Sequence, residues 1–162
     1  MSQNPIKVGI ADMKTALSPG SIVTTGLGSC VGVCIWDCNA KVGGMVHVML
    51  PECGLANIKM NAAKYADTGV DLLVEEILKL GAVKSRLTAK IAGGAQMFSF
   101  PGSNSVMRIG ERNVEAVKHS LELQRIKILA EDTGGNFGRT IQFFTESGML
   151  NIKTISRGEK VI

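Results

Sequence analysis

Cys30 and His47 are the two side chains in this sequence best matched to acyl chemistry, a thiol and an imidazole on stretches that alternate like β-strands. A free thiol titrates near pH 8.5 and is mostly protonated at neutral pH. An imidazole within reach can take that proton, leaving a thiolate nucleophile, and later return it to a leaving nitrogen. Residues 31–36 set Val31, Val33 and Ile35 against Gly32, Cys34 and Trp36. Residues 42–50 set Val42, Val46, Val48 and Leu50 against Gly43, Met45, His47 and Met49. Both have the two-residue period of a strand. Closed into a hairpin around the polar stretch 37–40, with Trp36 opposite Lys41, they bring Cys30 directly opposite His47. Opposed residues have Cβ atoms about 4.5–5.5 Å apart, and a slip of one residue would send the two side chains to opposite faces. Gly26-Leu27-Gly28-Ser29 keeps bulk away from the cysteine, and such a loop can aim backbone N–H groups at a developing oxyanion. Thr24 or Thr25 is placed to hold the second imidazole nitrogen as the third member of a triad.

Each of these residues also has a purely structural reading. A lone cysteine is a small buried hydrophobe, a histidine in an apolar strand a satisfied core group, and Gly-Leu-Gly a turn. A metal site is the other chemical alternative, since Cys30, Cys34, Cys38, His47 and Cys53 lie close in sequence. Their C-x3-C-x3-C spacing lacks the C-x2-C knuckle of structural zinc, and Cys30 and Cys34 on one strand would stand about 13 Å apart. We therefore expect no metal, and read Cys34, Cys38 and Cys53 as non-catalytic. Three further segments carry two readings each. Residues 90–98 leave a strand through Gly93-Gly94, as a tight exit or as a site wall. Gly110 stands at a helix start, where N–H groups are capped internally or receive an anion. Residues 131–139 form a turn between strands or an anion nest. His119 lies between Lys118 and Ser120 on a helix and is expected to be solvated.

The elements that must position these residues follow from periodicity. Strands are expected at 6–11, 21–25, 31–36 and 42–50, then at 87–92, 126–130, 139–144 and 149–155. A helix over about 63–80 buries Val70, Leu73, Ile77 and Leu80 and turns Asp71, Glu75, Glu76 and Lys79 outward. Thr68-x-x-Asp71 is a possible capping box, with an earlier start near Asn61 as the alternative, and Gly81 is a C-terminal cap. A second helix over about 111–124 buries Val114, Val117 and Leu121. Strands, then helix–strand–helix, then strands again describe an α+β sandwich with a mixed sheet, not an alternating doubly wound fold.

The 162 residues fit one domain spanning 1–162. Apolar residues make up 45% and charged residues 20%, and no stretch approaches the ~20 apolar residues of a membrane span. The first residues lack the pattern of a signal peptide, so a reducing cytoplasmic location without disulfides is expected. The net charge of +4 is mild, and one Trp and one Tyr give little to stack on bases, which argues against nucleic acid while leaving room for an acidic protein partner.

Taken together, the motifs resemble one family. Thr24-x-Gly-Leu-Gly-Ser-Cys30, Gly44-Met-Val-His-Val-Met-Leu-Pro51, Lys64-Tyr-Ala-Asp-Thr68, Ala92-Gly-Gly-Ala-Gln-Met-Phe98, Arg108-Ile-Gly-x-Arg-Asn113 and Leu129-Ala-Glu-Asp-Thr-Gly-Gly135 stand in the order seen in the chemoreceptor glutamine deamidases, CheD. That resemblance implies an α/β/α-type three-layer sandwich with a mixed, largely antiparallel sheet. It implies hydrolysis of receptor glutamines to glutamate with release of ammonia and without a cofactor. It implies a nucleophile at Cys30, a base at His47 and an orienting hydroxyl at Thr24 rather than Thr25. The partners it implies are chemoreceptor cytoplasmic helices and the CheC-type phosphatase; the alternative role is an adaptor for that phosphatase with a vestigial thiol site. A convex receptor helix calls for a shallow site mouth, rimmed by residues 26–29, 94–104 and 134–138, with Met97, Phe98 and Phe100 as an apolar contact patch.

Overall fold

The structure is a computed structural model and describes residues 4–53, 61–97 and 108–162. Among these residues, ten strands form two five-stranded sheets, and two helices cover one of them. The strands are β1 (Ile6–Lys7), β2 (Met13–Leu17), β3 (Ser21–Leu27), β4 (Val31–Asp37), β5 (Val42–Val48), β6 (Leu87–Gly93), β7 (Lys127–Thr133), β8 (Arg139–Phe144), β9 (Leu150–Thr154) and β10 (Gly158–Val161). The helices are α1 (Ala66–Lys79) and α2 (Ile109–Leu123). One sheet runs β1-β3-β8-β9-β10 and the other β2-β5-β4-β6-β7. Each is antiparallel except for one parallel pair, β1 with β3 and β6 with β7. This is the α+β sandwich with mixed, largely antiparallel pairing that the sequence suggests. Its layers run helices, sheet, sheet: where an α/β/α-type arrangement would put a second helical layer, the sheet containing β3 and β8 stands instead.

Alternation explains why the middle sheet is sandwiched. Val31, Val33, Ile35, Val42, Val46 and Val48 face the helices and pack with Val70, Leu73, Ile77, Val117 and Leu121. Cys34 and Met45 face the other way and pack with Ile22, Ile141 and Phe143 of the second sheet. With both faces covered, β4 and β5 are buried along almost their whole length. Glycines let the layers close: a Cβ on Gly43 would lie 2.9 Å from the Phe143 ring, and one on Gly32 would lie 2.6 Å from Ile141.

The helix ends differ in detail from expectation. Thr68 is not an N-cap: α1 already starts at Ala66, and the Thr68 hydroxyl donates to Ala62 C=O at 2.6 Å. Asn61 instead caps a short 3₁₀ turn over Ala62–Lys64 by accepting from Ala63 N–H. Gly81, at φ +103°, ends α1 as expected. Leu80 stays 39% exposed as the C-cap residue, because α1 already ends at Lys79. No helix among the described residues is long and apolar enough to cross a membrane.

The chain brings three strand ends together at one edge of the middle sheet. Val31 at the start of β4 pairs with Val48 at the end of β5 and with Gly93 at the end of β6. The parallel β6–α2–β7 connection places the first turn of α2 at this same end, where a Cβ on Gly110 would lie 2.3 Å from Ala95 C=O. The candidate site sits at this junction.

Candidate active site

Cys30 ends the short loop from β3 to β4 and is partly exposed. The loop is held by backbone: Gly94 N–H donates to Cys30 C=O at 2.8 Å, and Ala95 N–H donates to Gly28 C=O at 2.8 Å. Gly93 must be glycine, because at φ +115° it presses on this loop and a Cβ there would lie 2.2 Å from Cys30 C=O. The strand exit at Gly93–Ala95 thus packs against the Cys30 loop. Partial burial pushes the Cys30 thiol above its ordinary value, partly offset by its own backbone N–H.

The hairpin register differs from the expected one. Gly32, not Cys30, lies opposite His47, and Asp37 pairs with Val42. The reason is Asp37, which the polar-turn reading had placed in the loop. Its carboxylate is fully buried, accepts from Asn39 and Ala40 N–H at 2.9 and 3.1 Å and is gripped by Arg86 at 2.9 Å. That makes Asp37 the last residue of β4 and moves the loop to residues 38–41, with Lys41 at φ +53°. The slip is two residues, so Cys30 and His47 keep the same face and become diagonal neighbours, on the order of 7 Å between backbones.

His47 is fully buried between the two sheets. Its Nδ1 lies 2.8 Å from the Thr24 hydroxyl, which lies 2.7 Å from Val8 C=O. A carbonyl can only accept, so Thr24 must donate its single proton to Val8. The hydroxyl oxygen then accepts from Nδ1–H. This fixes the tautomer and leaves a lone pair on Nε2, a buried atom without a hydrogen-bond partner among the described residues. Burial lowers the His47 pKa to about 4, so the imidazole is neutral at pH 7. Thr25 is exposed and faces away. Gly26, at φ +73°, starts the β3 irregularity that turns the chain from Thr24 toward the Cys30 loop.

The remaining cysteines lie elsewhere. Cys34 is buried between the sheets with its pKa raised by burial; Cys38 is exposed on the hairpin loop; Cys53 is buried, its N–H on Asp67. Among the described residues no group of three or more His, Cys, Asp or Glu side chains converges. Phe98 and Phe100 lie outside the described residues. Met97 is 43% exposed and covers the loop, 3.3 Å from where a Gly28 Cβ would stand. It joins Gly26, Phe137, Gly138 and Ile155 in lining a groove of about 450 Å³.

Two supporting residues escape sequence reasoning. Arg139 is 3% exposed; it pairs with Asp132 at 2.9 Å, donates to Gly134 C=O at 3.0 Å and stacks on Phe137, fixing the turn after β7. Of residues 131–139, then, 131–133 end β7, 134–138 form a braced turn, and Arg139 opens β8. Asn113 of α2 is fully buried and donates to Ser29 C=O and to Met49 C=O, each at 2.9 Å. The available signal was a polar residue on the apolar stripe of α2, four before Val117.

Comparison with known proteins shows which family the chain belongs to. Residues 49–154 match the family model described as "CheD chemotactic sensory transduction". A protein of Desulfitobacterium hafniense named "Probable chemoreceptor glutamine deamidase CheD" is 57% identical over 159 residues, covering 98% of this chain and 99% of its own. One of Halalkalibacterium halodurans named "Chemoreceptor glutamine deamidase CheD" is 53% identical over 158 residues, covering 97% and 98%. The α+β sandwich is therefore that of a chemotactic sensory transduction protein. Within that class, the chain belongs to the CheD family.

Proposed function

We propose that the protein hydrolyses glutamine side chains of chemoreceptor cytoplasmic helices to glutamate, with Cys30 as nucleophile, His47 as base and Thr24 as the hydroxyl that orients the base. The observation that carries this reading is the Val8–Thr24–His47 chain of hydrogen bonds, which leaves Nε2 as the one imidazole nitrogen unpaired among the described residues, on a residue whose register puts it on the same sheet face as Cys30. The thiol proton passes to Nε2 as sulfur attacks the amide carbon, and the carbonyl electrons move to oxygen. The imidazolium protonates the nitrogen, which leaves as ammonia when the carbonyl re-forms as a thioester. Water then attacks the thioester, giving its proton to Nε2, and the thiolate leaves and recovers that proton. Burial keeps both groups neutral at rest, so proton transfer accompanies attack instead of preceding it.

The groove beside Met97 and Gly26 supports a substrate that lies across the surface, as a helix does. We place the protein in the cytoplasm, where the receptor helices lie, working without metal or cofactor. By the same family reading, a CheC-type phosphatase shares this mouth: deamidation should slow as CheC is added, and an undiminished rate at saturating CheC would separate the two surfaces. The test of the mechanism is ammonia release from a receptor cytoplasmic fragment. Cys30→Ala and His47→Ala should each abolish it, because the pair acts as a unit, while Cys34→Ala, Cys38→Ser and Cys53→Ser remain active. An active Cys30→Ala protein would exclude the mechanism.

A further inference from the structure

The Ser29–Cys30 peptide is held from one side only. Its carbonyl accepts from Asn113 Nδ2 at 2.9 Å, from the helix side of the loop. The only cis peptide bond among the described residues is Ser18–Pro19, so the Ser29–Cys30 peptide is trans and its N–H points opposite to its C=O. With the carbonyl drawn toward α2, the Cys30 N–H is turned away from the helix, to the side of its own sulfur. No hydrogen bond from Ser29 or Cys30 N–H is found among the described residues. An N–H that no other described residue takes, next to the nucleophile and fixed in direction, is what a tetrahedral oxyanion requires.

The same amide group makes a second bond, to Met49 C=O just beyond the end of β5, two residues after His47. One side chain thus ties the loop carrying the nucleophile to the end of the strand carrying the base. Its donors are fully used, while Asn113 Oδ1 is buried without a partner among the described residues. An unpaired buried acceptor costs stability, so an apolar side chain would fill this position at less cost if filling it were the only task. Gly110 and Gly94 permit the approach. A Cβ on either would meet the other's segment, at 2.6 Å from Gly94 C=O and 2.9 Å from Gly110 C=O respectively.

We propose that Asn113 is a positioning residue that orients the Ser29–Cys30 peptide so that the Cys30 N–H donates to the oxyanion of the deamidation intermediate. This rests on the Cys30 thiol mechanism proposed above. The partial offset of the raised thiol pKa by the cysteine's own N–H agrees with an N–H on the sulfur side.

The experiment separates oxyanion stabilisation from nucleophilicity. Deamidation passes through an oxyanion; alkylation of the same thiol by iodoacetamide displaces iodide and does not. For Asn113→Ala, kcat on a receptor fragment should fall about 10²-fold with KM unchanged, while Cys30 alkylation, measured at a pH where the thiolate is fully formed, keeps its wild-type rate. Wild-type kcat in the variant overturns the proposal, and so does an equal loss of deamidation and alkylation, which marks a structural role. If the variant does not fold, the wild-type protein decides by NMR. Asn113 Nδ2 should show a coupling across the hydrogen bond to the Ser29 carbonyl, and the Cys30 amide should exchange fast beside slowly exchanging Gly94 and Ala95. A missing coupling or a protected Cys30 amide overturns it. Failure of the underlying mechanism looks different: wild type would then release no ammonia, or Cys30→Ala would remain active.

Discussion

Thr24 has one hydroxyl proton, and Val8 C=O takes it. What reaches His47 is therefore an oxygen lone pair, which orients the ring without carrying the charge that a buried aspartate would bring to an imidazolium. Removing it frees the ring and its tautomer, so Thr24→Ala should lower kcat by about 10- to 10³-fold, less than loss of a triad carboxylate. Thr25→Ala, at an exposed position, should stay near the wild-type rate. Steady-state rates on a receptor fragment decide this, and equal near-wild-type rates in both variants would remove Thr24 from the mechanism. From spacing alone the two threonines were equivalent candidates, and only the family motif preferred Thr24. The choice depends on which face of β3 meets the second sheet, and a seven-residue strand with one irregularity gives no local sign of that. Cys30 and His47 could be singled out as candidates because their glycine-flanked and alternating surroundings are local.

At the scale of elements, alternation read the strands well and the register poorly. The faces of β4 and β5 were clear from Val31, Val33 and Ile35 against Cys34 and Trp36. The register was set by Asp37, whose partner Arg86 is 49 residues away. A polar residue beside a turn looks like part of the turn until its distant cation is known. Edge strands β2 and β10 passed unread for a related reason: Met13-Lys-Thr-Ala-Leu and Gly158-Glu-Lys-Val lie at sheet edges with mixed or full exposure, so they carry no hydrophobic period. The contact of α2 with the Cys30 loop was equally hidden, since it depends on absent side chains. Gly110→Ala tests that contact. Its Cβ would fall 2.3 Å from the Ala95 carbonyl, a backbone atom that cannot swing aside. We expect a loss of about 1–3 kcal/mol in stability, as for overpacking elsewhere. Because Ala95 holds Gly28, a drop in kcat should accompany it. Denaturant unfolding and kinetics together check this; unchanged stability and rate would mean that α2 does not press on the loop.

At the scale of the molecule, the two layers of sheet meet at the buried His47, and this gives the fold a pH dependence. His47 is pulled down to about 4 by burial from an ordinary value of 6.5. Between these values the unfolded chain binds a proton that the folded chain does not, so stability rises with pH across that window and falls as pH drops from about 6.5 toward 4. Asp37 and Asp132, held below their ordinary value by Arg86 and by Lys160 with Arg139, add a further loss when pH falls below about 4. His47→Gln should flatten the stability profile between pH 4 and 6.5 while leaving the more acidic loss in place; an unchanged slope would place His47 in a more solvated setting. The layer order itself was only half legible, because composition and element order give strands and helices but not which sheet the helices cover. The central claim joins the buried base to a substrate on another protein, and one measurement addresses it directly: intact mass of a receptor cytoplasmic fragment after incubation with the wild-type protein or with Cys30→Ala. The account predicts a gain of about one dalton per modified glutamine, from NH2-to-OH exchange, with wild type and none with the variant. A fragment of unchanged mass after wild-type treatment, or the same gain with both proteins, would contradict it.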